Sequence, residues 1–283
     1  MDAPSTSALL TQWSWEPSVV IGLLLFASAY AYAVGPLRRR HSLGPPASQT
    51  QIVLFALSEL TLIIALLSPI DAIGDSYLFS VHMVQHLLLA AVWPVVFLLS
   101  IPAWLARYLF RPGFFGELME FLTVPMVAIT LFNIDIVAWH VPALYDLTLR
   151  NEWVHVSEHL SFMVFGFFNF WPILSPMRER RLAYPFQVLY LFADGMFMMV
   201  LGILFTFAPI IFYGPYAAAP RLWSISALSD QQLGGLIMWY PGNLPYGVLL
   251  VVAFYRWFDG DELVSPEPPN ISAQSHTIGP PLG

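Results

Sequence analysis

The stretch FSVHMVQHLLLAAVWPVVFLL, residues 79–99, contains no Asp, Glu, Arg or Lys. At 1.5 Å per residue a helix of that length reaches about 30 Å, the thickness of a bilayer's hydrocarbon core. Two histidines interrupt the apolar run. His82 and His86 are four residues apart and so share one helix face. An ionisable side chain inside such a segment marks a functional position by default.

Working outward, the same apolar signal returns near 17–36, 52–69, 121–140, 153–174, 185–206 and 230–257. The whole chain of 283 residues is 58% apolar and only 10% charged, where soluble domains carry about 25%. In lipid each span must satisfy its own backbone hydrogen bonds, so each is helical. The predicted fold class is all-α, a polytopic membrane protein with seven transmembrane helices. Residues 1–16 form a short external N-terminus, 17–258 the transmembrane domain, and 259–283 a Pro/Gly-rich tail expected to be disordered and cytoplasmic. No basic region precedes the first span, which is therefore read as retained rather than cleaved.

Arginines orient the helices. Arg38, Arg39, Arg40, Arg107, Arg111, Arg178, Arg180, Arg181 and Arg256 all fall on one side, with Arg150 and Arg221 opposite. By the positive-inside rule the first side is cytoplasmic, which puts the N-terminus outside and the C-terminus inside. The expected location is a bacterial plasma membrane. Residues 101–120, with aromatic residues among the arginines, are expected along the inner interface, and Tyr240-Pro241-Gly242-Asn243 should kink or unwind the last span.

This orientation gathers five of the seven histidines in one outer stratum. His82 and His86 begin the third span, His155 and His159 repeat their spacing at the start of the fifth, and His140 ends the fourth. His41 and His276 match no partner and are read as solvated. The chain has no cysteine, so a metal must be held by imidazole, carboxylate or thioether, and imidazole suits copper, zinc, iron and nickel. Glu158, Asp146, Asp71 and Asp75 lie at similar depth and could orient the rings or bind directly. Asp135 sits one turn before Trp139 and His140, and Asp230 is either part of this level or a helix N-cap. Met83, Met196, Met198 and Met199 are candidate soft ligands. Glu59 and Asp194 are read as interhelical hydrogen-bonding acids. The net charge of −7, with no dense basic patch, gives no sign of nucleic-acid binding.

Other readings of these residues stay open. His155-Val156-Ser157-Glu158-His159 matches HxxEH, the inverted zinc-protease pattern. Histidine-box oxygenases also use paired histidines, though generally more of them and on the cytoplasmic face. Paired histidines across helices can ligate haem. A metal or proton-coupled carrier would carry polar residues through to the other side, and only Glu59, Asp194 and Asn169 lie below the cluster.

Four separated blocks carry a family resemblance. Ser80–Leu89 with its HMxxH pattern, Ala138–Asp146 with Trp-His-Val-Pro, His155–His159 followed by Phe170-Trp171-Pro172, and Asp230–Gly235 followed by Met238-Trp239 resemble the multi-span CtaG family of cytochrome c oxidase (caa3-type) assembly factors. The resemblance covers roughly residues 50–258 in order and spacing. It implies a non-enzymatic role in maturing haem–copper oxidase, with copper bound at the outer site; five imidazoles exceed what one tetrahedral or square-planar ion requires, so one or two copper ions are expected. The expected partners are the oxidase catalytic subunit, which receives the copper, a periplasmic copper donor and the lipid bilayer. Zinc and haem are the alternative cofactors. It also implies His82, His86, His140, His155 and His159 as ligands, with Glu158, Asp146, Asp230 and Asp135 around them.

Overall fold

A computed structural model describes residues 5–260. The ends of the expected tail and external segment, and His276 with them, lie outside the described residues. Within them the chain is all helical, without a strand. Seven long helices organise it: α1 (Pro17–His41), α2 (Gln49–Leu67), α3 (Phe79–Ser100), α4 (Pro125–Trp139), α5 (Glu152–Leu174), α6 (Tyr184–Thr206) and α7 (Ala227–Phe258). Five of these, α1, α2, α3, α6 and α7, are each long and apolar enough to cross a membrane, and α4 makes a sixth when joined to Phe114–Leu122. Helix α5 is 23 residues long but carries two histidines, Glu158 and Asn169 among its apolar residues, so composition alone does not mark it.

Local chemistry sets the boundaries. Ser48 caps α2 in a reciprocal box: its hydroxyl accepts from Gln51 N–H at 3.2 Å, and the Gln51 side chain accepts from Ser48 N–H at 2.9 Å. Asn151 caps α5 by accepting from the backbone N–H groups of Trp153 and Val154. The fourth span departs from the expected 121–140. Val124 is extended ahead of Pro125, as the residue before a proline prefers, and the chain bends by 75° between Phe114–Leu122 and α4. Prolines also loosen two helices internally: a π turn at Ala33–Leu37 contains Pro36, and another at Leu88–Val92 precedes Pro94. The expected break in α7 is a single 3₁₀ turn, Pro241–Asn243.

Lipid tails are as apolar as leucine, so close backbone approach and polar contacts hold such helices together. Helix α5 crosses α3 at Gly166, where an added Cβ would stand 2.5 Å from the Ala90 carbonyl oxygen. Helices α6 and α7 cross through Gly202 and Gly235, each facing the other's backbone. A buried network ties α4, α5 and α6: Asn133 and Asn169 donate to the Asp194 carboxylate, and Tyr190 donates to Asn169. The expectation that Asp194 hydrogen-bonds between helices is thereby met. Helix α1 is peripheral, with Tyr30 its one buried residue, and it is pinned by the Tyr30 hydroxyl on Ser100 O at 3.0 Å and the Tyr30 ring stacked on Phe55.

The two ends of the bundle differ chemically. The starts of α3, α5 and α7 meet at one end, where the histidines are. The loops after α3 and α5 meet at the other, where Arg107 pairs with Glu179 and Arg180 with Glu120. His41 is exposed there, near Tyr108.

Candidate metal centre

Four residues between the two HxxxH pairs come together first. His82, His155, Glu158 and His159 each present one donor atom, and these atoms all lie within 4.8 Å of one another, a spacing that could hold a metal ion. His86 and His140 complete the cluster. Ring centroids are 4.2 Å apart for His82 and His86, 5.7 Å for His86 and His159, and 5.9 Å for His86 and His140. All five sequence-predicted histidines thus share one buried core of the bundle.

Neighbouring groups set the tautomers. The Tyr216 hydroxyl donates its single hydrogen to Gly74 O at 2.8 Å, so its contact of 3.0 Å with His82 Nδ1 must have the imidazole as donor. Asp75 Oδ1 lies 3.4 Å from the same Nδ1 without forming a hydrogen bond to it. His82 Nε2 is left with its lone pair. His140 Nδ1 lies 2.7 Å from Ile136 O, which can only accept, so His140 Nε2 is a lone-pair nitrogen too. These are the outer contacts that ordinarily orient metal-binding imidazoles. The His82 and His86 Nε2 atoms are 2.6 Å apart, so one of them carries a proton when nothing else bridges them.

The donors fit an ion on a further observation. His86 Nδ1, the Nε2 atoms of His140, His155 and His159, and both Glu158 oxygens are buried without a hydrogen-bond partner among the described residues. Stranded polar groups of this kind cost free energy unless something coordinates them. Glu158 is 0% exposed, with Oε1 3.6 Å from His86 Nε2, and it stands in the donor group itself rather than behind the histidines as expected.

The other expected acids are elsewhere. Asp230 touches no imidazole; its carboxylate accepts from the backbone N–H groups of Phe79 and Ser80 at 2.7 and 3.1 Å and from the Ser80 hydroxyl at 2.5 Å. It caps α3 from a neighbouring helix, while Ser226 caps its own. Asp135 accepts from Trp139 Nε1 and from Ser161. Asp146 lies near Arg150, 3.8 Å away. The thioethers are dispersed: Met196 is exposed, Met198 packs on Gly242, and Met83 packs on Gly234.

Asp75, which sequence reasoning set only among several acids, lies 3.4 Å from His82 and 3.5 Å from His155. Burial raises its carboxyl well above the ordinary range, and the neighbouring Asp71 adds to the shift. Its side chain is 31% exposed and that of His155 14%, so these two form the mouth of the centre. Sequence reasoning missed the aromatic wall altogether. Tyr145 stacks on Tyr213, Tyr213 donates to His140 O at 3.0 Å, and Tyr216 reaches His82. The Gly-Pro-Tyr segment following Tyr213 was the available signal, but nothing in it points to a partner more than a hundred residues away.

With this geometry in view, comparison with known proteins gives a family. The chain belongs to the family described as cytochrome c oxidase caa3 assembly factor, whose model matches residues 28–259. That description is of an assembly factor rather than a catalyst. The chain is also similar to uncharacterized proteins of Mycobacterium bovis and Mycobacterium tuberculosis, each 28% identical over 279 residues, which is 93% of this chain and 42% of the relative. A Mycobacterium leprae protein, likewise uncharacterized, is 26% identical over the same shares. The chain spans about two fifths of the length of these curated relatives. No solved structure matches it.

Proposed function

We propose that this member of the caa3 assembly-factor family binds copper through its histidine–glutamate centre and supplies it to the catalytic subunit of a haem–copper oxidase. The observation that carries the reading is the four-donor group of His82, His155, His159 and Glu158, surrounded by buried donors that lack partners. Borderline imidazole donors suit copper, and the close packing of five rings favours a bare ion over a porphyrin. Copper is cargo here. The chain's own residues present lone-pair nitrogens, hold their tautomers through Tyr216 and Ile136 O, and offset the ion's charge with the Glu158 carboxylate.

We further infer seven spans, with α5 crossing alongside the six apolar ones, and the centre facing the periplasm. The arginine-rich loops at the end remote from the histidines support that orientation. In this reading residues 17–258 form the membrane domain, and copper arrives from a periplasmic donor at the Asp75–His155 mouth. The test is metal analysis of purified protein beside His86→Ala and His159→Ala. Copper in the wild type and its loss from folded variants is expected; full metal retention in both variants would remove the centre from the mechanism. Labelling of a cysteine placed in the 38–50 loop from the outside would overturn the orientation.

A further inference from the structure

We propose that the centre holds two ions, with His86 and His140 forming an inner station beside the four-donor group and Glu158 shared between them. The inference rests on the metal-binding reading above and deepens it.

Four donors complete a shell for one tetrahedral ion, and neither His86 nor His140 is among them. Each nevertheless has a nitrogen that needs a partner. His140 Nε2 keeps its lone pair because Nδ1 is committed to Ile136 O, and it is buried without a partner among the described residues. His86 shares a proton with His82 through the 2.6 Å contact between their Nε2 atoms. An ion on His82 Nε2 takes that lone pair, and His86, whose Nδ1 is already stranded, then has no partner on either nitrogen. Two bare nitrogens on one buried ring are costly.

An ion between His86 and His140 takes one lone pair from each ring and leaves a single His86 N–H without an acceptor. Two imidazoles bonded to one ion at about 2 Å place their ring centroids roughly 5–6 Å apart for angles from tetrahedral to linear, and these two stand at 5.9 Å, toward the wide end. Glu158 supplies the third donor: both its oxygens are buried and unpartnered, and Oε1 is 3.6 Å from His86 Nε2. One oxygen serves each station. His86 and His140 are each 5% exposed, against 14% for the His155 side chain at the mouth.

The experiment is an anaerobic titration of full-length detergent-solubilised protein with Cu(I), competed against a chromogenic chelator. Two equivalents per chain are expected for the wild type, and one for His140→Ala, with the remaining equivalent bound within about threefold of its original affinity. His140→Gln, checked for helical content and monodispersity, repeats the test with a side chain closer in size. A wild-type plateau at one equivalent, abolished by His159→Ala, would overturn the second station and leave the single site standing. A wild type that takes up no copper would overturn the underlying reading. Retention of two equivalents by folded His140→Ala and His140→Gln would remove His140 from any station.

Discussion

Replacing Asp230 by alanine separates two accounts of this acid. The carboxylate accepts three hydrogen bonds from the start of α3, two of them from backbone N–H groups, and it is fully buried. Removing it leaves the N–H groups of Phe79 and Ser80 without acceptors, at about 1–3 kcal/mol each, and it removes a negative charge from a helix N-terminus, worth about 0.3–1 kcal/mol more. Relaxation of the first turn toward water recovers part of this, so a loss of about 3 kcal/mol is expected. On the scale of ~2–4 °C per kcal/mol for chains near this size, the melting temperature should fall by roughly 6–12 °C. Asp230→Asn, which keeps one acceptor oxygen but no charge, should fall between. The assay is thermal unfolding in detergent, followed by copper content at a temperature where each variant is folded. Because Asp230 reaches no imidazole, the folded alanine variant should retain its copper. A variant that melts like the wild type but has lost its metal would refute the capping account and return Asp230 to the site.

Gly166→Ala should destabilise by about 1–3 kcal/mol through overpacking, because its Cβ meets the Ala90 carbonyl oxygen at 2.5 Å and Pro94 Cγ at 2.9 Å. Helix α5 must move away from α3 to accommodate it, so weaker copper binding should accompany the lower melting temperature; unchanged values for both would show that the crossing yields at no cost. Tyr216→Phe removes the acceptor for His82 Nδ1–H and should weaken copper binding by about 10–100-fold, measured by chelator competition, with little loss if Asp75 alone holds the tautomer. Burial raises the Asp71 carboxyl from 3.8 to about 6, partly opposed by the Gln85 hydrogen bond. Since the folded value is the higher one, its contribution is complete below pH 3.8 and is lost as pH rises through about 6. Asp71→Asn should therefore lose less stability than the wild type between pH 4 and 7 in paired melts, and parallel curves would count against a buried acid there.

The helices and most of their ends were legible in the sequence because their causes are local. Apolar runs and Pro241-Gly242 act within a few residues of themselves; the Ser48 and Asn151 caps are as local, although the sequence reading did not pick them out. The start of α4 was not, since residues 121–124 are apolar enough to continue a span and only the extended backbone before Pro125 turns the chain aside. The histidines were readable for a similar reason: a spacing of four places His82 with His86, and His155 with His159, on single helix faces whatever surrounds them.

The acids and tyrosines were decided only by the tertiary structure. Asp230 was assigned to the right end of the bundle but not to the right partner, and Glu158 moved from behind the histidines to among them. Tyr216 meets His82 across 134 positions of sequence. Depth along a helix follows from counting residues, so the sequence by itself determined the level of the centre within the bundle. Which way a side chain points around the helix axis, and what it meets there, depends on how neighbouring helices cross, and those crossings are set by close contacts such as Gly166 on Ala90 and Gly202 on Gly235. Helix packing therefore selected which of several buried acids came to stand among the imidazoles and which became a cap.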